Sequence, residues 1–457
     1  MDFEDIIIAQ ATPPGKGAIS IVRMSGAGCI EVLNNFFSKD LEEVKGNEAV
    51  FGNFKEAKTG KVIDECVLTI YRAPRSYTKQ DSVEISCHGS PFVVNKIIQS
   101  LLGSNVRMAN PGEFTQRAYL NGQMDLVQAE AVADLINSES DMGHETALSH
   151  LKGEFSKKMK NLRSKLVRLG SLLELELDFS EEDVEFADRK ELKQNLQEVE
   201  AMLISLLESY KTGNAIKNGI RTVIAGLPNA GKSTLLNAML GDDRAIVSDQ
   251  AGTTRDVLEE SIYLNGIKFI LTDTAGLRDS NDTIESEGIR RALNKVSAAD
   301  IVLYVLDVTR PDLDVTAIQD EISKLNSEGK VLLIFNKMDL HPTFNGDHLL
   351  ENSSSHSYIS CSAINKMNVP YIQEKLVELS LGEIKDGTVV TSQRQYEALL
   401  KALDAIQATV HDLDLGQTED LIATNLKRGL HHVGLITGEI HTDELLEKIF
   451  SEFCIGK

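Results

Sequence analysis

Gly226-Leu-Pro-Asn-Ala-Gly-Lys-Ser233 stands between an apolar run, Arg221 to Ala225, and a helical run, Ser233 to Leu240. It fits G-x-x-x-x-G-K-[ST], in which a glycine-rich turn aims backbone amides at phosphate oxygens. A strand before the turn and a helix after it put unpaired N–H groups and the positive helix end at one point. The backbone from Asn229 through Ala230, Gly231, Lys232, Ser233 and Thr234 is therefore expected to hold a nucleotide's phosphates. Lys232 would reach the β- and γ-phosphates as a catalytic cation, and the Ser233 hydroxyl would ligate Mg²⁺. A chance glycine-rich turn is the bland alternative, and the strand–loop–helix context argues against it.

Four further motifs lie downstream. Phe269-Ile-Leu-Thr-Asp-Thr-Ala-Gly276 is an apolar strand ending in Asp273, suited to the Mg²⁺ shell, with Thr274, Ala275 and Gly276 as a turn able to meet a γ-phosphate. Gly252-Thr-Thr-Arg-Asp256 is a polar loop, in which Thr253 and Thr254 are expected at the nucleotide and Thr254 at the metal. Strands at Ile301–Asp307 and Val331–Asn336 lead to Asn336-Lys-Met-Asp339. Asp339 can accept from guanine N1–H and N2–H₂, a donor pair that adenine lacks, and Lys337 joins it in the site. Ser360-Cys-Ser-Ala363, after a strand from Ser357, resembles the loop that closes over guanine, with Ser360, Ser362 and Ala363 as contacts. Each motif alone is weak. Four in order, each at a strand's C-terminal end, resemble a translation-factor-related GTPase domain over about Lys217 to Leu381 and imply GTP as ligand.

One position departs from the Ras-like pattern. Leu277 stands where those proteins carry the glutamine that orients the attacking water. Hydrolysis must find its charge stabilisation and water positioning elsewhere, or be slow. Asn229 either holds a monovalent cation beside the phosphates or is a turn residue. Glu285, opening a helix Ile284 to Val296, either positions water as a catalytic carboxylate or merely faces the helix start.

With 457 residues the chain is long enough for three domains. Hydrophobic residues at 42% and charged residues at 25% are ordinary for a globular protein. No apolar run reaches ~18 residues and no basic-then-apolar leader is visible, so a cytoplasmic protein without a membrane span is expected. Cys29, Cys66, Cys87, Cys361 and Cys454 are odd in number and dispersed, as suits a reducing compartment. A net charge of −22 argues against a chain that wraps nucleic acid, although a local basic patch stays open. Glu174 to Asp188 holds eight carboxylates and no basic residue. It reads as a solvated helix end and loop, or else as a metal site or a landing surface for a basic partner.

Residues 1 to about 118 read as α+β, with strands at Ile6–Ala9, Ala18–Arg23, Glu65–Tyr71 and Ser82–Cys87 and helices near Cys29–Phe37 and Pro91–Leu102. Asp125 can cap a helix with Gln128 three residues on, and Leu126, Ala129, Ala133 and Ile136 share its apolar face. Helical periodicity (Leu162, Leu166, Leu169, Leu172, Leu173) runs to about Tyr210 and resumes from about Ser392 to Phe450. The expected fold is multidomain α/β plus α. Residues 1–118 form an α+β domain, 119–216 and 382–457 the two parts of a helical domain, and 217–381 an inserted P-loop GTPase domain.

The flanking segments carry a closer resemblance. Ala9-Gln-Ala-Thr-Pro-Pro-Gly15 with Arg23, Cys87-His-Gly89, Pro111-Gly-Glu-Phe-Thr-Gln-Arg-Ala118, Leu126 to Ile136 and terminal Phe453-Cys-Ile-Gly-Lys457 look like the MnmE (TrmE) tRNA-modification GTPases, over the full length. The resemblance implies a tetrahydrofolate-binding N-terminal domain through which the protein dimerises. It implies a heterotetramer with the FAD-dependent MnmG (GidA), in which the partner holds most of the tRNA substrate. Together they would add an aminomethyl or carboxymethylaminomethyl group to C5 of the wobble uridine, using a one-carbon unit of 5-formyl- or methylene-tetrahydrofolate. It further implies K⁺-activated hydrolysis of GTP with Mg²⁺. Potassium roles fall on Asn229, Val247, Ser248 and Thr253, and the catalytic carboxylate on Glu285. Folate contacts fall on Arg23, Glu84 and Lys457, whereas Gln123 replaces the family's usual lysine and loses that cation. An arginine and a lysine suit the folate's carboxylates, and Glu84 can accept from pterin N–H groups. Cys454 is either a reactive neighbour of the folate or a packed thiol, and His88 either touches substrate or shapes a turn.

Two other readings stay open. A regulatory GTPase in ribosome assembly would have no reason to bind 5-formyltetrahydrofolate. A free-standing aminomethyltransferase would turn over its donor without GTP or a partner.

Overall fold

The computed structural model describes residues 5–103, 105–178, 189–241, 246–247, 259–273, 296–310, 329–346, 357–380 and 388–456. These form two compact units, one of residues 1–133, 150–186 and 423–457, the other of 134–149 and 187–422.

The first unit is built on a six-stranded sheet of β1 (Ile6–Gln10), β2 (Ile19–Ser25), β3 (Glu48–Lys55), β4 (Val62–Tyr71), β5 (Ser82–His88) and β6 (Val106–Met108), in the order β3-β4-β5-β2-β1-β6. All neighbours are antiparallel except β1 and β6. Helices α1 (Cys29–Asn34) and α2 (Pro91–Leu101) bury Leu33, Val94 and Ile97 against Val22, Met24, Leu68 and Ile85 of the sheet. On the other face Phe114 of α3 (Glu113–Leu120) packs on Ile7 and Ala9. The four foreseen strands form, each a residue or more longer, and β3 and β6 join them. Helix α1 stops at Asn34 rather than Phe37, whose backbone bridges to Phe54.

Polar groups tie this unit together at depth. Arg117 is 1% exposed and Glu113 2%. The Arg117 guanidinium donates to Glu113 Oε1 (2.9 Å), Asp5 Oδ1 (2.6 Å) and the Asp5 carbonyl (2.7 Å). Arg107 donates to Glu113 at 2.6 and 2.8 Å, and the Asn110 amide adds a bond at 2.9 Å. Burial alone would raise the Glu113 pKa. The hydrogen bonds from Arg107, the Asn110 amide and Arg117 outweigh it and hold the carboxyl below its ordinary value. Four of the chain's five thiols are buried and follow the opposite course: burial pushes Cys87 up to about 11 and Cys66 up to about 12, and raises Cys29 and Cys361 likewise.

Helix α4 (Leu126–Asn137) opens with the reciprocal cap read from the sequence. Gln128 N donates to Asp125 Oδ1 (3.1 Å), and Asp125 N donates to Gln128 Oε1 (3.0 Å). Leu126 and Ala129 are buried as expected, but Ile136, placed on the same face, is 47% exposed. Beyond α5 (Asp141–Leu151), α6 (Glu154–Asp178) buries Leu162, Leu166, Leu169 and Leu173, with Leu172 half-buried.

In the second unit α7 (Arg189–Asn218) leads into β7 (Ile220–Gly226), α8 (Lys232–Leu240), β8 (Ile246–Val247), β9 (Glu259–Leu264), β10 (Ile267–Asp273), β11 (Ile301–Asp307), β12 (Lys330–Asn336), β13 (Ser357–Ser360) and α9 (Val369–Ser380). The strand order is β13-β12-β11-β7-β10-β9-β8, parallel from β13 to β10, with β9 and β8 antiparallel at the edge. Both faces are covered, so β7, β11 and β12 are almost continuously apolar. Helix α10 (Gln393–Asp414) then pairs with α7: Tyr210 stacks on Tyr396 at 4.4 Å, and the Gln407 amide donates to Glu200 at 2.9 Å. The Ser209 hydroxyl accepts from the Val390 amide at 3.1 Å, so the chain enters and leaves the sheet segment at one place. The last helices are α11 (Glu419–Thr437) and α12 (Asp443–Ser451).

Removing the Glu113 carboxylate strands the buried Arg117 charge, so Glu113→Ala should destabilise the first unit by about 3–5 kcal/mol. Hydrogen exchange of the β1 and β2 amides measures this; unaltered protection would show that the network contributes nothing. Because the folded-state pKa of Glu113 lies below its unfolded value, its contribution is complete above about pH 5 and fades as pH falls through the folded value.

Candidate nucleotide site and the Arg23–Glu84 cavity

The phosphate loop leaves β7, where the chain turns one way to β10 and the other to β11, the crevice in which open α/β sheets bind ligands. Gly231, the residue before α8, has φ +97°, and a Cβ there would lie 2.3 Å from Asn336 Nδ2. Asn229 is also left-handed at φ +63°, a conformation asparagine tolerates better than most residues. Lys232 is 8% exposed, and its Nζ donates to the carbonyls of Gly226 and Leu227, both at 3.0 Å. Thr234 is exposed on the first turn of α8.

The register of β7 with β10 pairs Ile224 with Asp273, and the Ser233 hydroxyl donates to Asp273 Oδ2 at 2.6 Å. A hydroxyl and a carboxylate side by side at a helix N-terminus are hard oxygen donors of the kind Mg²⁺ takes.

Asn336 is 3% exposed and joins two loops. Its Nδ2 donates to the Ala230 carbonyl (2.9 Å), and its Oδ1 accepts from the Ala363 amide (3.0 Å). Asp339 is exposed, and its Oδ1 accepts from the buried Ser362 hydroxyl at 2.6 Å. This orients one carboxylate oxygen and leaves the other for a base edge. Ser360 ends β13, and its carbonyl accepts from Asn368 at 2.8 Å. Lys337, left-handed at φ +72°, sends its Nζ to Asp307 Oδ2 at 2.7 Å, and Thr309 donates to Asp307 Oδ1 from its amide and hydroxyl. Burial would raise the Asp307 pKa, but the bonds from Lys337 and Thr309 prevail and hold it low. No role was read for Asp307 from the sequence, although an acid closing an apolar strand two residues before a threonine was the available signal.

Thr253, Thr254, Thr274, Ala275, Gly276, Leu277 and Glu285 lie outside the described residues, as does Lys457. So do Ser248, the Val247 side chain and residues 179–188 of the acidic run.

In the first unit Arg23 and Glu84 face each other across the β2–β5 register, with Arg23 Nε and Nη2 donating to Glu84 Oε1 at 3.0 and 2.7 Å. The guanidinium carbon sits 5.7 Å from the ring centres of Tyr77 and Phe114. A cavity of about 160 Å³ is lined by Arg23, Glu84, Tyr71, Tyr77, Thr78 and Ser82, the last four unforeseen because they become neighbours only in the sheet. Burial, followed by the Glu84 charge, raises the Tyr71 pKa. Arg23 Nη1 also donates to the Gly456 carbonyl (3.2 Å), bringing the chain's end to the cavity. Gly456 has φ +95°, and a Cβ would lie 2.4 Å from the Gln10 carbonyl, so the tail passes β1 only as glycine. Gln123 and Cys454 are exposed and do not line the cavity. His88 accepts or donates at Nδ1 with Asp64 Oδ1 (2.7 Å).

Residues 6–123 match the family model described as GTP-binding protein TrmE N-terminus, and residues 126–454 match that described as MnmE helical domain. The chain belongs to the MnmE family. Proteins called tRNA modification GTPase MnmE from Christiangramia forsetii and Flavobacterium johnsoniae are each 43% identical to it, the first over the whole of both chains and the second over 99% of each. The G domain of the FeoB iron transporter of T. maritima is similar at 24% identity, covering 35% of this chain and 99% of that one at a TM-score of 0.28. The match for the MnmE helical domain encloses β7 through β13, in keeping with a sheet segment held between α7 and α10.

Asn336→Ala would leave the Ala230 carbonyl and the Ala363 amide without their buried partners, at about 1–3 kcal/mol each. We expect GTP and GDP affinity to fall together by roughly tenfold or more in equilibrium titration with fluorescent nucleotides. Parent-like affinity would mean that the two loops hold their places unaided.

Proposed function

We propose that this chain is a GTP-hydrolysing tRNA-modifying protein acting on C5 of the wobble uridine with an MnmG-type FAD-dependent partner, as a dimer within a heterotetramer in the cytoplasm. The observation that carries the reading is the meeting of Lys232, Ser233 and Asp273 with the Asn336–Asp339 loop at the C-terminal ends of the parallel strands, in a chain matching MnmE proteins from end to end. We assign residues 217–381 to the GTPase domain, 1–118 to the folate-binding domain, and 119–216 with 382–457 to the helical domain.

Lys232 and the amides of Asn229 to Thr234 bind the triphosphate, while Asp339, oriented by Ser362, selects guanine. Ser233 and Thr254 hold Mg²⁺, which supplies charge neutralisation at the β- and γ-phosphate oxygens. With Leu277 in place of glutamine, Glu285 positions the attacking water, and Asn229 with the Val247 to Thr253 loop holds K⁺. Arg23 and Glu84 bind a tetrahydrofolate through its charged and N–H groups, and Lys457 supplies a further cation for its carboxylates.

Two measurements test this. GTP turnover should be sharply slower in Na⁺ than in K⁺, and Glu285→Ala should cut turnover while sparing GTP affinity. Equal rates in both salts remove the cation, and undiminished turnover returns Glu285 to a helix-start carboxylate. A strain lacking the gene should accumulate unmodified wobble uridine, and full modification in that strain would reject the whole reading.

A further inference from the structure

The chain carries a net −22, yet residues 152–168 hold seven lysines and arginines against one glutamate. Most of them fall on α6. Its buried face is Phe155, Met159, Leu162, Leu166 and Leu169. On the opposite face Lys157, Lys160, Asn161, Ser164 and Arg168 are exposed. At 3.6 residues per turn they share a sector of about 100° and span about 16 Å along the axis.

An ordinary solvated helix face mixes signs and neutralises itself through i,i+4 pairs. This one does not: the positions four residues apart are Lys157–Asn161, Lys160–Ser164 and Ser164–Arg168, with no carboxylate among them. Among the described residues neither Lys157 nor Arg168 has an ion-pair partner, and Lys160 has only Asp125, at 3.7 Å and with its own side chain 59% exposed. The Ser164 hydroxyl turns back to the Lys160 carbonyl at 2.7 Å, leaving Asn161 as the neutral donor of the stripe.

We propose that this stripe of α6 docks the phosphate backbone of RNA, which on the function proposed above is the substrate tRNA. Three cations over about 16 Å suit successive phosphates rather than one small anion. No aromatic residue lies on the stripe and the exposed apolar side chain at its border is the small Val167, a poor centre for a protein partner's binding energy, and lysine is depleted in protein interfaces. Phosphate neutralisation needs neither anchor nor base contacts.

The test uses the full chain, a fluorescently labelled unmodified tRNA transcript and anisotropy titrations between about 50 and 200 mM salt. The triple variant Lys157→Ala, Lys160→Ala, Arg168→Ala should bind at least tenfold more weakly at the low-salt end. Its slope of log affinity against log salt should shrink by about 2 to 3, since each lost phosphate contact removes about 0.7–0.9. A control with the same charge change, Lys45→Ala, Lys58→Ala, Lys61→Ala on exposed sites, should keep the parent's slope. GTP turnover without tRNA should be unaltered in both variants, which checks folding and keeps the GTPase reading separate. The proposal is overturned if the triple variant matches the parent, if the control loses as much, if the parent binds no tRNA at any salt, or if the triple variant loses only an acidic protein partner.

Discussion

Asn336 is a buried amide whose two ends face two different loops. Its nitrogen donates to the Ala230 carbonyl inside the phosphate loop, and its oxygen accepts from the Ala363 amide in the loop after β13. No other side chain of this size does both jobs. An aspartate has no donor for Ala230, and a leucine satisfies neither group, so either change buries unpaired polar atoms. Gly231 must be glycine for the same reason, because a Cβ would occupy the space of the Asn336 nitrogen. The positions of the Gly226–Ser233 loop and of the loop after β13 are thereby set by one planar group. Asp339 follows three residues later on the same turn, one of its carboxylate oxygens held by the Ser362 hydroxyl.

The first unit depends on a comparable constraint of opposite polarity. Arg117 brings a full charge into a place with no solvent, which is tolerable only with anions and carbonyls arranged around it. Glu113 and Asp5 supply them, and Arg107 neutralises the excess. The network pins α3 beneath β1, and β1 then carries the backbone past which the C-terminal tail runs as Gly456. Arg23 receives that tail while holding Glu84 against the cavity. A residue at the far end of the sequence thus becomes a neighbour of β2 through packing that no local pattern encodes.

What was legible in the sequence follows from the range of each interaction. The phosphate loop, Asn336-Lys-Met-Asp339 and the Asp125–Gln128 cap are local, so spacing alone exposes them. The core strands β7, β11 and β12 are apolar on both faces and stand out as runs. Strand β3 is exposed along most of its first half, β9 is buried at only two of its six positions, and β6 has three residues, so period-two contrast is weak in each. The i,i+4 pair Glu113–Arg117 is visible as spacing, whereas its third member, Asp5, lies over a hundred positions away. The Tyr71–Tyr77–Ser82 lining of the cavity was hidden for the same reason. Asp307 shows a subtler gap: its partner Lys337 belongs to a recognised motif, but their pairing requires β11 and β12 to lie side by side.

Sheet register is where fold becomes chemistry in this protein. Ser233 and Asp273 meet because β7 and β10 run parallel with Ile224 opposite Asp273. A one-residue slip would send the carboxylate to the other face of the sheet, and a two-residue slip would carry it about 7 Å along the strand. Register in turn is held by the burial of Phe269 and Leu271 on one side and of Val223 and Ala225 on the other. Strands β9 and β8 are exempt from this demand, since they hold none of the described phosphate-loop or guanine-loop residues. The α7–α10 pair closes the segment by bringing Ser209 and Val390 together, so both ends of the sheet are anchored to one helical pair. A segment fixed at a single point can change the conformation of its loops without breaking the register that brings Ser233 to Asp273, which is the mechanical requirement for a GTPase module enclosed between two helices of a larger chain.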